Sequence, residues 1–414
     1  MKSLKQQTIL DLVAKYATPL YVYDINIIKT KYELLKQYIP KQFKIFYALK
    51  ANPNPSVCAF IHSLGAGAEI ASSGELCIAL KSGFLGSEII YNGPGKTDDD
   101  IAYAIENKIH LLNVESMDEL YRINTIAEQA QCLMKICVRI NPLCGAAQAK
   151  MHTGGDSQKF GVDEEKVDGL IEAALKLDWV TLSGIHIYVG SQILSHKVLL
   201  TSIENTLNIA CKLAKQYQLK LETINLGGGL GVPYTDSEQE FNVEEFGSGL
   251  AELIAKISNC YDLSETELIL EPGRFLVSDA GILLTKVLSV KESRGKKYAI
   301  VDSGINHAFL PFRMNKKYST VIANKIDQPI DSKVIIGGAL CTSMDVFTTE
   351  VELPHIEPND IICIFNAGAY GFSASLLYFL SAPMPAEVII DNDGQDILVR
   401  RRGRKEDFLL GTDF

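Results

Sequence analysis

Eight times between Lys44 and Leu270 the sequence gives a short run of β-branched or apolar residues that stops at a Gly, Asn, Ser or charged residue. The runs are Lys44–Leu49, Ala68–Ala71, Glu88–Tyr91, Ile109–Val114, Leu133–Ile140, Leu182–Val189, Glu222–Leu226 and Glu267–Leu270. Between them lie stretches such as Ser73–Ser82, Asp98–Asn107, Met117–Ala130, Glu164–Leu177 and Leu199–Tyr217, with apolar residues at three- and four-residue spacing. Alternation of strand and helix calls for a parallel sheet. An open doubly wound sheet competes with a closed (β/α)8 barrel. The barrel is preferred because eight strands close it and because the chemically notable residues sit just after strands.

The pattern changes after about Leu283. Leu283–Val290, Tyr298–Val301, Lys333–Ile336, Ile361–Phe365, Glu387–Ile390 and Ile397–Arg400 follow one another without regular helices. They predict an all-β domain of sandwich or barrel type over 283–414, with 1–24 joining it through the early run Pro19–Tyr23 and the barrel occupying 25–282. At 414 residues the chain is long enough for two cores. The formal net charge of -10 and the lack of a long basic block exclude nucleic acid and anionic membranes as natural partners. No apolar run reaches the roughly eighteen residues of a membrane span, and Lys2, Lys5, Asp11 and Lys15 break up any secretory leader. The nine cysteines, Cys144 among them, are scattered without a C-x-x-C, which predicts reduced thiols in the cytoplasm and no metal site.

Three strand ends carry the chemistry. Lys50 ends Phe46-Tyr47-Ala48-Leu49-Lys50, where an amine leaving an apolar strand suits Schiff-base formation; the plainer alternative is a surface lysine. The seventh strand runs into Gly227-Gly228-Gly229-Leu230-Gly231, where backbone amides can approach a phosphate, or simply make a tight turn. The dinucleotide pattern fails there because Val232 stands where the third glycine belongs. The eighth ends in Glu271-Pro272-Gly273-Arg274, a carboxylate for a pyridinium proton and a guanidinium for a phosphate, or else a structural ion pair. Amine, phosphate cradle and carboxylate together match pyridoxal 5′-phosphate.

With Ser72-Ser73-Gly74-Glu75-Leu76, Gly93-Pro94-Gly95-Lys96, Arg139-Ile140-Asn141-Pro142, Lys159-Phe160-Gly161, Gly190-Ser191-Gln192, Cys341 with Asp345, and Ala367-Gly368-Ala369-Tyr370-Gly371 added in order, the chain resembles the fold-type III pyridoxal-phosphate decarboxylases. That group includes diaminopimelate, ornithine and arginine decarboxylases. The resemblance implies an alanine racemase-like barrel with a C-terminal β domain and a head-to-tail homodimer with shared active sites. It implies Lys50 as the amine of the internal aldimine and Glu271 at the pyridine nitrogen. Ser191, Gly228, Gly229, Arg274 and Tyr370 would surround the phosphate, and Arg139 would lie near the ring hydroxyl or support the lysine. Cys341 would come from the partner subunit and act near Cα.

Three departures bear on the substrate. Tyr188 stands where the family stacks a histidine on the ring, and His186 lies two residues earlier, either facing the barrel interior or satisfied within it. Thr342 follows Cys341 where diaminopimelate decarboxylases carry a Glu. The arginine they place before a proline is absent from Ala308-Phe309-Leu310-Pro311. A distal pocket without that pair does not suit diaminopimelate, since its polar end would go unpaired. The pieces Tyr188-Val189-Gly190-Ser191-Gln192, Gly231-Val232-Pro233-Tyr234 and Leu340-Cys341-Thr342 resemble a biosynthetic branch of secondary metabolism. It holds the butirosin acyl-carrier-protein-glutamate decarboxylase and the staphyloferrin B decarboxylase. The expected substrate is an amino acid or conjugate, free or carrier-bound, with His186, Thr342 and Asp345 facing it. Diaminopimelate decarboxylation, racemisation and non-catalytic cofactor binding are the alternatives. Glu271 opposes racemisation, because fold-type III racemases place an arginine there. The basic run Arg400–Lys405 reads as structural rather than as a carrier dock.

Overall fold

The computed structural model describes residues 5–143, 151–152, 157–235, 237–310 and 319–413. Cys144 and Pro311 lie outside them. The chain divides into two compact units. One comprises Lys31–Val232 and Glu240–Phe275, the other Met1–Thr30, Pro233–Gln239 and Leu276–Phe414.

The first unit is a closed barrel. Its strands are Phe43–Ala48, Gly67–Ile70, Ile89–Tyr91, Leu111–Val114, Met134–Asn141, Val180–His186, Thr223–Asn225 and Glu267–Leu270. Each pairs in parallel with the next, and Glu267–Leu270 pairs in parallel with Phe43–Ala48 to close the ring. All eight expected strands are present. The sixth stops at His186, three residues short of the apolar run. Ile187 still donates to the Asn225 carbonyl at 3.1 Å, but Gly190–Ser191 then turns to pair with Met151–His152. The expected helix from Glu164 opens as a tighter 3-10 turn and is α-helical over Val167–Ala174.

The helices follow the strand ends, and polar caps fix where six of them start. Asn54, Ser72, Thr97, Ser116, Ser195 and Asn242 each accept a first-turn backbone amide. Two-residue alternation then separates the barrel's layers. Ile90, Leu111, Cys137 and Ile269 share one buried cluster. Two positions later on the same strands come Asn92, Asn113, Arg139 and Glu271, all nearly inaccessible. An apolar floor thus carries a polar layer directly above it.

The second unit is a nine-stranded sheet. Leu20–Asp24 pairs antiparallel with Gly281–Ser293 and parallel with Ala386–Ile390, so the early strand joins the β unit as expected. The helix Gln6–Tyr16 covers it, burying Ile9 and Leu12 with Leu20, Val22, Ile282, Leu284, Cys363 and Val388. Two strands that sequence reading passed over, Thr320–Ile322 and Val351–Leu353, are only three residues long. Among the described residues no helix is long and apolar enough to cross a membrane.

Barrel closure leaves no room at Gly184, where an added Cβ would stand 1.9 Å from the Thr223 carbonyl oxygen and 3.1 Å from Cys137 Sγ. Gly184→Ala is expected to cost about 1–3 kcal/mol or more by overpacking. Gly169→Ala, inside the helix Val167–Ala174 with nothing within 4 Å, is expected to be neutral or to gain up to about 1 kcal/mol. Denaturant midpoints of the full chain decide it: equal midpoints for the two variants would refute the tight closure.

Candidate active site

Lys50 lies in the 3-10 turn Leu49–Ala51 that follows the first strand. Its side chain is 42% exposed, yet its Nζ is anchored on Glu69, 2.8 Å from Oε1 and 2.5 Å from Oε2. Glu69 is wholly buried. From Glu69 a chain of amides crosses the barrel. Asn92 Nδ2 donates to Glu69 Oε1 at 2.8 Å and to Glu271 Oε1 at 3.0 Å. Asn225 Nδ2 donates to the same Glu271 oxygen at 2.7 Å, and Asn113 Nδ2 donates to Asn92 Oδ1.

The other oxygen of Glu271 faces His186 Nε2 at 3.6 Å. Burial alone would raise the Glu271 carboxyl. His186, the Lys50 ammonium and the Asn225 amide outweigh it and hold the carboxyl well below its usual range. Glu271 is therefore a fixed negative charge inside the barrel. His186 is 1% exposed, and neither ring nitrogen has a hydrogen-bond partner among the described residues.

A second buried network props the mouth. Arg139 Nη1 donates to Glu115 Oε1 at 2.8 Å and stacks over Phe160, 4.8 Å from its ring centre. Glu115 also accepts the amides of Gly93 and Gly161, each at 2.9 Å. Lys96, inside the Gly93–Lys96 loop, reaches the Gly93 carbonyl at 2.6 Å, the Asn113 carbonyl at 2.8 Å and Glu119 Oε1 at 2.7 Å. Arg139 is thus engaged with Glu115 and braces the wall beside the site.

The glycine run forms the turn after the seventh strand. Gly227 has φ +65°, and a Cβ there would stand 2.7 Å from Tyr188 Cδ2; one on Gly228 would stand 2.3 Å from the Glu271 carbonyl oxygen. Tyr188 packs against this backbone. Burial pushes its phenol up, opposed by Lys50, by a hydrogen bond with Ser191 and by Arg274, so these residues share one electrostatic neighbourhood. Gly229 has φ +110° and backs onto the Gly190 carbonyl, and Arg274 is 4% exposed. The barrel accordingly gathers Lys50, Tyr188, His186, Ser191, Gly228, Gly229, Glu271 and Arg274 at one end.

The remaining expected residues belong to the β unit. Cys341 is exposed and Thr342 half-buried, on the loop after Ser332–Gly337. Asp345 is buried; one oxygen accepts the Ile305 amide at 2.8 Å and the other the Leu340 amide at 2.7 Å. Burial raises its carboxyl, and these two amides oppose the rise. It braces the cysteine loop, where sequence reading had placed it facing substrate. Tyr370 is half-buried with φ +56°, in a segment whose Ala367 amide donates to the Gly281 carbonyl at 2.9 Å.

These residues fit pyridoxal phosphate on their chemistry. The barrel presents the Lys50 amine, the buried ionised Glu271 carboxylate and a glycine turn with no space for side chains beneath it. Sequence reading missed Glu69, Asn92, Asn113, Asn225 and Glu115. Their signal was a polar residue in or just after an apolar strand run, the cue that had found Lys50 and Glu271.

Residues 25–278 match the family model described as pyridoxal-dependent decarboxylase, pyridoxal binding domain. The chain is 32% identical to the L-glutamyl-[BtrI acyl-carrier protein] decarboxylase of Niallia circulans over 98% of this chain and 96% of that one. It is 35% identical to a diaminopimelate decarboxylase of Methanothermobacter thermautotrophicus, covering 97% and 93%. It is 32% identical to the 2-[(L-alanin-3-ylcarbamoyl)methyl]-2-hydroxybutanedioate decarboxylase of Staphylococcus aureus, covering 91% and 95%. Among solved structures, the diaminopimelate decarboxylase of M. jannaschii in complex with L-lysine superposes with a TM-score of 0.91 at 31% identity, covering 98% of this chain and 94% of that one.

Lys96→Met would keep the packing of the stem and strand the Glu119 carboxylate, which is itself 5% exposed. Removing one partner of a buried pair costs about 3–5 kcal/mol. We expect a loss of that size in thermal or denaturant unfolding; a loss under about 1 kcal/mol would mean the Gly93–Lys96 loop is held without its lysine.

Proposed function

The chain belongs to the pyridoxal-dependent decarboxylases, and on that premise we propose that its substrate is an amino acid borne on a conjugate rather than free diaminopimelate. The enzyme is a pyridoxal-phosphate-dependent carboxy-lyase of an amino acid or amino-acid conjugate. The observation that carries the site assignment is the buried Glu271 carboxylate, linked to the Lys50 amine through Asn92 and Glu69. When bound, pyridoxal phosphate supplies an aldehyde and an electron-accepting ring for the electrons of the Cα–carboxyl bond.

Each residue then has one task. Lys50 offers its amine to the aldehyde, and Glu69 orients that amine. Glu271 keeps a proton on the ring nitrogen. Ser191, Gly228, Gly229, Arg274 and Tyr370 would hold the phosphate. Tyr188 lends an aromatic face, and Arg139 holds the wall through Glu115. Cys341, exposed on the loop braced by Asp345, serves the site of a second copy in a homodimer and moves a proton near Cα. The eight described cysteines are all unpaired, which supports a reducing compartment, the cytoplasm.

The conjugate reading rests on the residues at the distal end. Thr342 follows Cys341, and Leu310 precedes Pro311, so neither the carboxylate nor the guanidinium suited to a free amino-acid terminus is present there. The names of the Niallia circulans and Staphylococcus aureus relatives describe substrates of conjugate type. The Methanothermobacter relative favours diaminopimelate, and the substrate panel must include it.

Borohydride reduction of the loaded protein should fix a pyridoxyl group on Lys50 by peptide mass mapping, and Lys50→Ala should release no carbon dioxide. Labelled on the carboxyl carbon, a glutamyl thioester or amide conjugate should release it at least about tenfold faster than meso-diaminopimelate; the reverse ranking would overturn the conjugate reading. Mixing Lys50→Ala with Cys341→Ala should restore about a quarter of wild-type turnover, because half of the dimers are mixed and one of their two sites is intact. No restoration would remove Cys341 from the partner's site.

A further inference from the structure

We infer that Asn92 is a positioning residue of this centre. Through its single side-chain amide it sets the spacing between the carboxylate that grips Lys50 and the carboxylate assigned to the ring nitrogen. The inference rests on the site assignment above and adds a role for the amide that links its two ends.

One nitrogen makes both contacts. Asn92 Nδ2 carries two hydrogens, and it stands 2.8 Å from Glu69 Oε1 and 3.0 Å from Glu271 Oε1. Each hydrogen therefore has its own carboxylate, and those two oxygens lie within about 6 Å of each other. Asn92 is 5% exposed, Glu69 is inaccessible and Glu271 is 6% exposed, so water does not separate the two charges. Like charges so close in a buried site push each other toward protonation unless donors stand between them.

The orientation of the amide is itself fixed. Asn113 Nδ2 donates to Asn92 Oδ1, and the Asn113 carbonyl accepts from Lys96 Nζ at 2.8 Å. Turning the Asn92 amide over would aim its oxygen at two carboxylates and its NH2 at another NH2. Asn113 and the two carboxylates together make that turn unfavourable and fix which way Asn92 points. Sequence position explains the reach. Asn92 follows the third strand, between the second strand that carries Glu69 and the fourth that carries Asn113. Glu271 comes from the end of the eighth strand, two places round the ring from Glu69.

The other groups facing the pair are accounted for. Glu271 also meets Asn225 and His186 and feels Lys50. Glu69 also holds Lys50, and it acts on Glu75, whose carboxyl burial and Glu69 together push up to about 7. Tyr188 and Arg274 complete the surroundings. Asn92 meets both carboxylates with the two hydrogens of one nitrogen. Removing Asn92 takes one of two amide donors from Glu271 Oε1, so the Glu271 carboxyl rises toward its ordinary value. The acid limb governed by it then moves to higher pH.

The test compares wild type with Asn92→Ala, isosteric Asn92→Asp and Asn113→Ala, each as the full chain. Three readouts are followed against pH: affinity for pyridoxal phosphate, kcat/KM for decarboxylation, and the carboxyl carbon resonances of selectively glutamate-labelled apoprotein, assigned with Glu271→Gln. Asn92→Ala is expected to move the acid limb of affinity and of kcat/KM, and the Glu271 resonance midpoint, upward by about one pH unit or more. Asn92→Asp should move them further, and Asn113→Ala less, in the same direction. Variants that lose only thermal stability, with the Glu271 midpoint unmoved, would overturn the inference and leave Asn92 a packing residue. A wild-type protein that fails to bind the cofactor at Lys50 would instead refute the site assignment; the apoprotein resonances would still decide for or against Asn92.

Discussion

A carboxylate buried in a barrel must be met by donors, and four of them are buried at one end of this one. Glu69, Glu115, Glu119 and Glu271 are each at most 6% exposed. Unpaired buried charge is among the costliest things a fold can carry, and each of these groups has its donors in place. Glu69 has Lys50 and Asn92. Glu115 has Arg139 and two backbone amides. Glu119 has Lys96 and the Glu115 amide. Glu271 has Asn92, Asn225 and the nearby His186. Lys50, Asn92, Arg139 and Asn225 come from the ends of the first, third, fifth and seventh strands, and Glu69 and Glu271 from the second and eighth, so the barrel must close for Glu69 and Glu271 to meet their donors. Closure in turn depends on the apolar layer of Ile90, Leu111, Cys137 and Ile269 beneath them. Site and fold share the same registers.

Much of this was legible from the chain. The strand positions are carried by β-branched runs, and the barrel closes because there are eight of them. Lys50, Glu271 and the glycine run were readable because each breaks an apolar strand with a residue of unusual chemistry. Asn92, Asn113 and Asn225 were not, because an asparagine after a strand is also the ordinary residue of a turn. Only the ring of strands brings residues 69, 92, 113, 225 and 271 into one layer, and no local pattern encodes that meeting. Thr320–Ile322 and Val351–Leu353 escaped for another reason: three residues hold too little periodicity to register.

Asp345 is expected to contact substrate, and within one chain its oxygens are already engaged. Its carboxylate instead accepts the amides of Ile305 and Leu340, one oxygen each, and Gly304 and Gly338 have no space for a Cβ beside it. An acceptor used in this way fixes the course of a loop. The exposed Cys341 and the half-buried Thr342 are what that loop presents.

Tyr188 stands where the family carries a histidine, and His186 lies two residues before it. A ring stacked on a cofactor needs an aromatic face, which a phenol has. Here the sixth strand ends at His186, which meets Glu271 Oε2 at 3.6 Å, while Tyr188 lies beyond the strand against Gly227. With Asn92 and Asn225 both on Glu271 Oε1, the imidazole faces the one oxygen that the amides leave open. With tyrosine at 188, the charge at Glu271 keeps three neighbours of its own, Asn92 and Asn225 on one oxygen and His186 facing the other.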